Sequence, residues 1–204
     1  MKRERKPRRA RWHRMKTLRK RDFPVDEVRR YLEPGPIVLV TSQLKGERNI
    51  MTMGWHTVME FTPSLVGCII AESNYSFHLI RKSRECVINI PDAGMLDAVA
   101  GIGNCDGDDV DKFAHFGLTP QKALRVKAPL IAECFANLEC RLHDARLVNK
   151  YNFFIFEVVK AHAAPKPRFP KTLHYRGQGV FTVDEGRAHD RKKLFGKLKE
   201  MGNF

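Results

Sequence analysis

The sequence lacks any apolar run of the roughly 18 to 20 residues that a membrane-spanning helix needs. The basic start of the chain also has no apolar stretch of the kind found in a secretory signal. Both absences predict a cytoplasmic protein without a membrane span. The 204 residues, of which 43% are hydrophobic, are enough for one globular domain with a sizeable core.

Cysteine spacing excludes the common disulfide and zinc patterns. The five cysteines form no CxxC pair and no Cys/His zinc spacing, and their odd number argues against a complete disulfide framework. In a cytosolic protein they are predicted to be reduced and mostly buried thiols. No carboxylate pair and no Ser/His/Asp set stands at convincing positions, so no side chain is assigned a catalytic role.

Two strings come close to known nucleotide and metal motifs but have the wrong spacing. Gly101–Asp106 has two glycines of a dinucleotide fingerprint, yet it lacks the third and follows a helical pattern instead of a strand. A calcium loop read from Asp106 would have Asp111 where Gly is needed and Gly117 where Glu is needed. The sequence therefore predicts neither a Rossmann fold nor a calcium site.

The net charge of +14 is concentrated at the N-terminus. Residues 1–22 hold 12 Lys and Arg against two acids, a local charge of +10, whereas residues 23–204 hold 25 basic and 21 acidic residues, or +4. The segment has no apolar period and repels itself, so it is predicted to be a disordered arm. Such an arm can contact nucleic acid or an anionic surface, with Trp12 stacking on a base. The alternatives are a solubilising extension, or a chain that begins at Met15.

Hydrophobic runs with alternating or β-branched residues predict a mainly β domain with helical insertions. The predicted strands are Ile37–Ser42, residues 49–60, Ser64–Ala71, Cys86–Ile90, Ala136–Leu142 and Phe153–Val159. The predicted helices are Asp26–Leu32, Phe77–Lys82, Met95–Ile102, Asp109–Phe116 and a basic tail helix over 187–200.

The stretch from Asn49 to Glu60 carries an unusual set of residues for a strand. An amide, two hydroxyls, a glycine and an indole interrupt the apolar pattern. Polar groups and a glycine inside a strand indicate a bulge or a close approach of the backbone to another group. We interpret that group as a planar ligand with a polar edge; an ordinary hairpin edge is the alternative.

Two further segments are candidates for an anion site. The loop Glu72–Ser76 is rich in hydroxyls and amides and opens a helix, with Ser73 or Asn74 as its cap, and free N–H groups at a helix start attract anions. Lys112 follows an acidic turn, where it could reach a phosphate or simply lie in solvent. The segment Leu173–Gly179 is predicted to return the chain to the same site.

Four strings together resemble the flavin reductase-like, FMN-binding split-barrel family and, within it, the flavoredoxin-like group. They are Asn49–Trp55, Ser73–Ser76 with Leu79–Arg81, Asp109–Phe113, and Ala128–Cys134 with Asn137–Cys140. Their order and spacing span roughly residues 34–180. The resemblance implies a six-stranded Greek-key split barrel over residues 23–186, flanked by the arm 1–22 and the tail 187–204.

The resemblance also implies a homodimer that binds FMN near the subunit interface. By position, Asn49, Thr52 and Trp55 would contact the isoalloxazine and ribityl groups, and Ser73, Ser76 and Lys112 would hold the phosphate. The full set of implied cofactor residues is Asn49, Ile50, Met51, Thr52, Met53, Trp55, Ser73, Asn74, Tyr75, Ser76, Lys112 and Tyr151. Two positions depart from the family pattern, because Tyr151 stands where the family often has His, and Ser76 where it often has Thr.

Three functions follow as hypotheses. The first is an FMN-dependent oxidoreductase that takes hydride from NAD(P)H and passes electrons to a flavin or another acceptor. The second is a flavoredoxin-type electron carrier reduced by a protein partner. The third is a nucleic-acid-binding protein that uses the basic arm, with the barrel as a scaffold.

Overall fold

A computed structural model describes residues 16–28 and 35–189. The strands of its main sheet are β1 (Arg21–Phe23), β2 (Val38–Leu44), β3 (Glu47–Met53), β4 (His56–Glu60), β5 (Leu65–Ile69), β6 (Glu85–Ile90), β9 (Ala136–Asp144) and β10 (Phe153–Ala163). Two small pairs are β7 (Pro120–Gln121) with β8 (Leu130–Ile131), and β11 (Thr172–Gly177) with β12 (Val180–Asp184). The helices are α1 (Tyr75–Ser83), α2 (Leu96–Ile102), α3 (Lys112–Phe116) and α4 (Val148–Tyr151), with 3-10 turns at Val25–Glu27 and Ala93–Met95.

The main sheet closes on itself through one interrupted strand. Its order is β3-β2-β6-β9-β10-β5-β4, with β1 paired to β10. β3 and β4 lie at opposite ends of this order, yet only Gly54 and Trp55 separate them in the chain. Counted as one strand, they make the six strands of a closed barrel, as expected for the predicted split-barrel class. Closure removes the exposed edges that an open sheet would leave.

Alternation along the strands fills the barrel interior. Leu138 and Cys140 of β9 and Phe154 and Phe156 of β10 all point into one buried cluster. The intervening residues face outward, because successive side chains of a strand lie on opposite faces. Phe77 of α1 joins the same cluster and packs edge-to-face on Phe154, with ring centroids 5.3 Å apart. Helix α1 therefore seals one end of the barrel.

A second buried layer covers the outer face of β2 and β3. Leu39 and Ile50 pack there against Val99 of α2 and Phe113 of α3. Both faces of these two strands are therefore covered. Within the described ranges, no helix is long and apolar enough to cross a membrane.

The end of the N-terminal arm differs from the prediction. Disorder over residues 1–22 is wrong for the described part, since residues 21–23 form β1 along β10. Leu18 and Phe23 pack against the interior cluster, and the Lys20 ammonium donates to the carbonyls of Ile131 and Ala132 at 3.1 and 2.8 Å. Two apolar side chains within a charged run are enough to anchor it. Residues 1–15 lie outside the described residues.

Two predicted helices begin elsewhere, and two fall largely outside the described residues. α3 begins at Lys112 instead of Asp109, because the Asp111 carboxylate accepts the N–H groups of Phe113 and Ala114 and so caps the helix there. α1 begins at Tyr75, with Asn74 in the cap position but without a side-chain cap bond. The predicted helix at 26–32 is described only as far as the 3-10 turn, and the tail helix at 187–200 only to residue 189.

A buried carboxylate fixes the loop that follows β7. Glu139 of β9 has no exposed side-chain surface, and it accepts N–H groups from Leu124, Arg125 and Val126 and a 2.7 Å bond from His162 Nε2. Burial by itself would raise the pKa of Glu139. The bonds from His162 and the backbone N–H groups outweigh burial, so the pKa lies below the ordinary Glu value of 4.5.

Replacing Glu139 by Gln should lower the free energy of unfolding at pH 7 by about 2–4 kcal/mol, because three N–H groups and His162 lose a charged acceptor. A depressed folded-state pKa means that the stabilisation is fully present above pH 4.5 and is lost as the pH falls through the lower folded value. Urea unfolding of wild type and E139Q should therefore converge in acid. E85Q is the control, since Glu85 accepts a single exposed N–H, from Lys127. A difference between wild type and E139Q that stayed constant with pH would contradict this account.

Candidate functional site

A cavity of about 390 Å³ opens where β3 turns into β4. We call it the corner cavity, and its lining residues are Met51, Thr52, Met53, Gly54, Trp55, Ile69, Ala71, Asn74, Tyr151 and Asn152. The lining combines apolar side chains, including two methionines and Trp55, with two amides and a phenol. Its volume lies within the range of about 300–1,000 Å³ typical of small-molecule sites.

The barrel corner positions this lining. The carbonyl of Trp55 accepts the N–H of Ile69 at 2.9 Å, and the carbonyl of Asn152 accepts the N–H of Ile70 at 3.0 Å. Gly54 allows the backbone to approach Ile37 closely, since a Cβ at this position would lie 2.9 Å from its Cδ1. Backbone hydrogen bonds and one close packing contact therefore hold the segment that carries Trp55.

Half of the twelve residues predicted to contact a cofactor line this cavity. They are Met51, Thr52, Met53, Trp55, Asn74 and Tyr151. Trp55 is 72% exposed and Tyr151 is 56% exposed, so both rings have surface available for contact. The Thr52 hydroxyl donates to the carbonyl of Val99 at 2.7 Å, which ties the corner to α2.

Asn49 and Ser76 are more deeply buried than the corner cavity and lie at the end of the barrel that α1 covers. Asn49 Nδ2 donates to Ser76 Oγ at 3.0 Å, and Ser42 Oγ donates to the same oxygen at 3.3 Å. All three residues are buried. Asn49 Oδ1 is also buried and has no hydrogen-bond partner in the described structure. An unpaired buried acceptor is costly, so this atom is suited to receive an N–H or O–H group from a ligand.

Six predicted residues lie outside the corner cavity, namely Asn49, Ser76, Ile50, Ser73, Tyr75 and Lys112. Ile50 is fully buried beneath α2 and α3, in the outer layer. Ser73 is exposed in the turn before α1. The Tyr75 hydroxyl donates to the Glu47 carboxylate at 3.0 Å, and this bond raises the pKa of the phenol.

Lys112 is buried, so the alternative in which it lies in solvent is wrong. Its ammonium donates to the carbonyl of Ile102 at 3.0 Å. Burial lowers the pKa of Lys112, while Cys105 and the acids Asp106 and Asp108 act in the opposite direction. Lys112 does not line the corner cavity. The loop that precedes it contacts Asn49, because a Cβ on Gly107 in that loop would overlap the Asn49 amide.

Three residues of the lining were not predicted from the sequence. Ile69 and Ala71 appear as ordinary strand residues, and Asn152 is hidden between two aromatic residues. Asn152 has a positive φ of 56° at the end of α4, a backbone conformation that Asn tolerates better than most residues. An Asn directly after a short helical turn is the pattern that could have identified it.

A second cavity, of about 700 Å³, lies on the other side of Gly54 and Trp55. We call it the hairpin cavity, since the β11–β12 hairpin forms one wall and α2 the other. The segment 173–179 was predicted to return to the cofactor site; its residues 174–176 and 179 line the hairpin cavity and none of them lines the corner cavity. Thr52, Gly54 and Trp55 line both cavities.

The chemistry of the corner cavity is that of a binding site. Its lining includes no carboxylate, histidine, lysine or arginine, and the described residues form no cluster of three or more His, Cys, Asp or Glu side chains that could hold a metal ion. Apolar side chains, a large exposed aromatic ring and a few amides suit a planar molecule with a polar edge.

Comparison with known proteins agrees with this architecture. Residues 29–183 match the family model of the flavin reductase like domain. An uncharacterized protein of Pyrococcus abyssi is 35% identical over 130 residues, which is 64% of this chain and 74% of that protein.

Two solved structures share the fold. The FMN-binding domain of a flavin reductases-like enzyme from Shewanella baltica superposes with a TM-score of 0.77 at 24% identity, covering 85% of this chain and 98% of that chain. Flavoredoxin of Desulfovibrio vulgaris gives 0.69 at 20% identity, covering 77% and 90%. The predicted family and split-barrel class are confirmed, and the chain belongs to the flavin reductase like family.

Proposed function

We propose that the protein binds FMN in the corner cavity and acts as an oxidoreductase, taking hydride from NAD(P)H and passing electrons to a flavin or another acceptor. The observation that carries the proposal is the convergence of six predicted cofactor residues on one cavity. Membership of the flavin reductase like family and the fold shared with an FMN-binding domain support FMN as the cofactor.

The residues at the corner fit the ring system of a flavin. Met51, Met53 and Trp55 offer apolar and aromatic contact to ring faces. Asn74 and Asn152 offer amide groups to a polar edge. The unpaired Asn49 Oδ1 is a further acceptor at the inner end of the site. Bound there, FMN would supply the redox chemistry, while the chain supplies position and electrostatics.

The start of α1 and the Lys112 loop are proposed to hold the phosphate. The first turn of a helix has free N–H groups that favour an anion, and Ser73 lies exposed beside that turn. Lys112 uses one of its three N–H groups on Ile102, which leaves two donors for a phosphate oxygen. A dianionic phosphate beside Lys112 would also compensate the cost of burying its charge.

The exposed side chains at the corner cavity leave a route by which an electron donor could reach the cofactor. With Trp55 and Tyr151 largely exposed, one side of the corner cavity is open to a second planar ring. The chain body, residues 23–204, is mildly basic and would attract an anionic dinucleotide.

A flavoredoxin-type carrier is the second candidate. The fold shared with a flavoredoxin favours it, and the same open apolar corner could receive a protein donor instead of a nucleotide. Binding of nucleic acid through the basic arm stays a prediction, since residues 1–15 lie outside the described residues.

The first prediction concerns cofactor choice. Apoprotein titrated with FMN, riboflavin and FAD should bind FMN in preference to the other two, because the phosphate group adds charge-assisted hydrogen bonds. K112A should weaken FMN binding by about 1.5–3 kcal/mol and leave riboflavin binding unchanged. Riboflavin is the matched control, since it lacks the phosphate. Equal losses for both ligands would make Lys112 a structural anchor of its loop and remove it from the phosphate site.

The second prediction concerns the electron donor. FMN-loaded protein mixed anaerobically with NADH or NADPH should lose its flavin absorbance, because the open corner leaves room for the nicotinamide. Dithionite is the control that establishes that the bound flavin can be reduced. Bleaching by dithionite alone, with neither nucleotide effective, would favour the electron carrier over the reductase.

The third prediction is a homodimer whose interface lies beside the corner cavity and leaves one side of that cavity open. Trp55, Tyr151 and Ile69 are exposed by 72%, 56% and 38%, and all three line the same cavity, so they form one apolar surface. Light scattering of the FMN-loaded protein at micromolar concentration should give twice the chain mass of 23.5 kDa. A mass of one chain under these conditions would refute the dimer.

A further inference from the structure

The lining of the hairpin cavity carries positive charge without a compensating carboxylate. It includes Arg176 and His174 and no carboxylate. By contrast, the cavity beside β1 includes Asp22 and Asp184, and the cavity along β4 includes Glu60. Its charge is therefore suited to an anionic ligand.

Arg176 is held so that its charged end stays available. Its Nε donates to the hydroxyl of Thr182 across the hairpin at 3.1 Å. The terminal nitrogens have no hydrogen-bond partner among the described residues, and the side chain is exposed. A guanidinium fixed at Nε presents its remaining donors in a planar arrangement that matches phosphate oxygens.

The C-terminal end of α2 forms the opposite wall, and helix C-termini normally repel anions. Here the last carbonyls are already engaged. Val99 accepts the Thr52 hydroxyl at 2.7 Å, Ala100 accepts Asn104 Nδ2 at 2.7 Å, and Ile102 accepts the Lys112 ammonium at 3.0 Å. The Lys112 cation and these side-chain donors offset the partial negative charge at the end of the helix. The helix end therefore repels an anion in this cavity less strongly.

Aromatic surface accompanies the positive charge. Trp55, Tyr175 and Phe181 all line the hairpin cavity, and the rings of Tyr175 and Phe181 support each other with centroids 5.0 Å apart. Tyr175 is half exposed, so one of its sides is available for stacking. A planar ring joined to a phosphate is the ligand class that such a combination recognises.

We infer that the hairpin cavity binds the adenosine-phosphate part of the nicotinamide dinucleotide, with Arg176 contacting phosphate and Tyr175 stacking on the adenine. The inference rests on the proposed function, because it assigns a site to the donor of that reaction. Three residues shared by the two cavities make them one continuous surface. A dinucleotide lying across Trp55 could therefore reach both.

The hairpin base is anchored firmly enough to serve as a binding wall. The Leu173 carbonyl accepts the N–H of Ile37 at 2.7 Å, and Leu173 itself is fully buried. The Lys171 carbonyl accepts the N–H of Ala93 at 2.9 Å, which ties the same strand to the turn before α2. Both walls of the cavity are thus joined to the barrel and to each other.

The test measures binding without any redox step. FMN-loaded full-length protein is titrated calorimetrically with ADP, using adenosine as the ligand without phosphate. ADP should bind, and R176Q should raise its dissociation constant about tenfold or more, while the affinities for adenosine and FMN stay unchanged. R168Q is the matched control, because Arg168 is an exposed arginine in the cavity beside β1 and its replacement removes the same charge.

Two results of this titration would overturn the inference. One is the absence of ADP binding to wild type at millimolar concentration, and the other is an equal loss in R176Q and R168Q, which would mean long-range attraction only. The two proposals fail separately. Normal ADP binding without bleaching by NAD(P)H would defeat the reductase but keep the site, whereas efficient bleaching with the same KM in R176Q would defeat the site but keep the reductase.

Discussion

Closure of the barrel through Gly54 and Trp55 is the constraint on which the rest of the structure depends. β3 pairs with β2 at one end of the strand order and β4 pairs with β5 at the other, so two residues must carry the chain around the corner. Gly54 and Trp55 lie between the two strands, and the Trp55 carbonyl still accepts the N–H of Ile69. The backbone there lies close to Ile37, which favours glycine at position 54. The indole at position 55 is consequently exposed outside the barrel, where it lines both cavities.

Lys112 illustrates how one side chain can serve both packing and charge balance. Its loop contacts Asn49 on the barrel side, and its ammonium bonds to the last turn of α2. Placing a cation at a helix C-terminus is favourable, but burying it is costly, and the lowered pKa of Lys112 reflects that cost. The neighbouring acids Asp106 and Asp108 reduce the cost. The acidic turn that has the wrong spacing for calcium therefore has an electrostatic role in the structure.

Local sequence was sufficient for the strands but not for the direction of each side chain. The runs at β2, β5, β6, β9 and β10 were predicted because their β-branched, aromatic and alternating residues match a pleated strand. Within β3, residues 50–53 were all assigned to the cofactor. Strand alternation sends Ile50 to the outer layer, and no local pattern could reveal this, because both faces of β3 are buried. Likewise, the bond from Lys112 to Ile102 depends on tertiary packing that spacing cannot encode.

The structures of the arm and of the hairpin also depend on tertiary contacts that local sequence does not reveal. Charge density predicted disorder up to residue 22, yet Leu18 and Phe23 gain enough buried surface on the barrel to order the last part of that segment. For the hairpin, only a return to the site was predicted. A role for Arg176 could not be predicted, because it depends on the packing of the hairpin beside α2.

The two cavities differ in how they bear on the choice between a reductase and an electron carrier. The corner cavity is built on the barrel itself, since its lining lies on β3, β5, the segments that follow these strands and the end of α4. A reductase and an electron carrier would therefore both retain it. The hairpin cavity needs the β11–β12 pair and an α2 whose terminal carbonyls are already bonded. An electron carrier reduced by a protein does not need an arginine held at Nε beside the Tyr175–Phe181 aromatic pair. The difference between the two functions is therefore expected to lie in the hairpin, which is attached to the barrel and is not part of its closure.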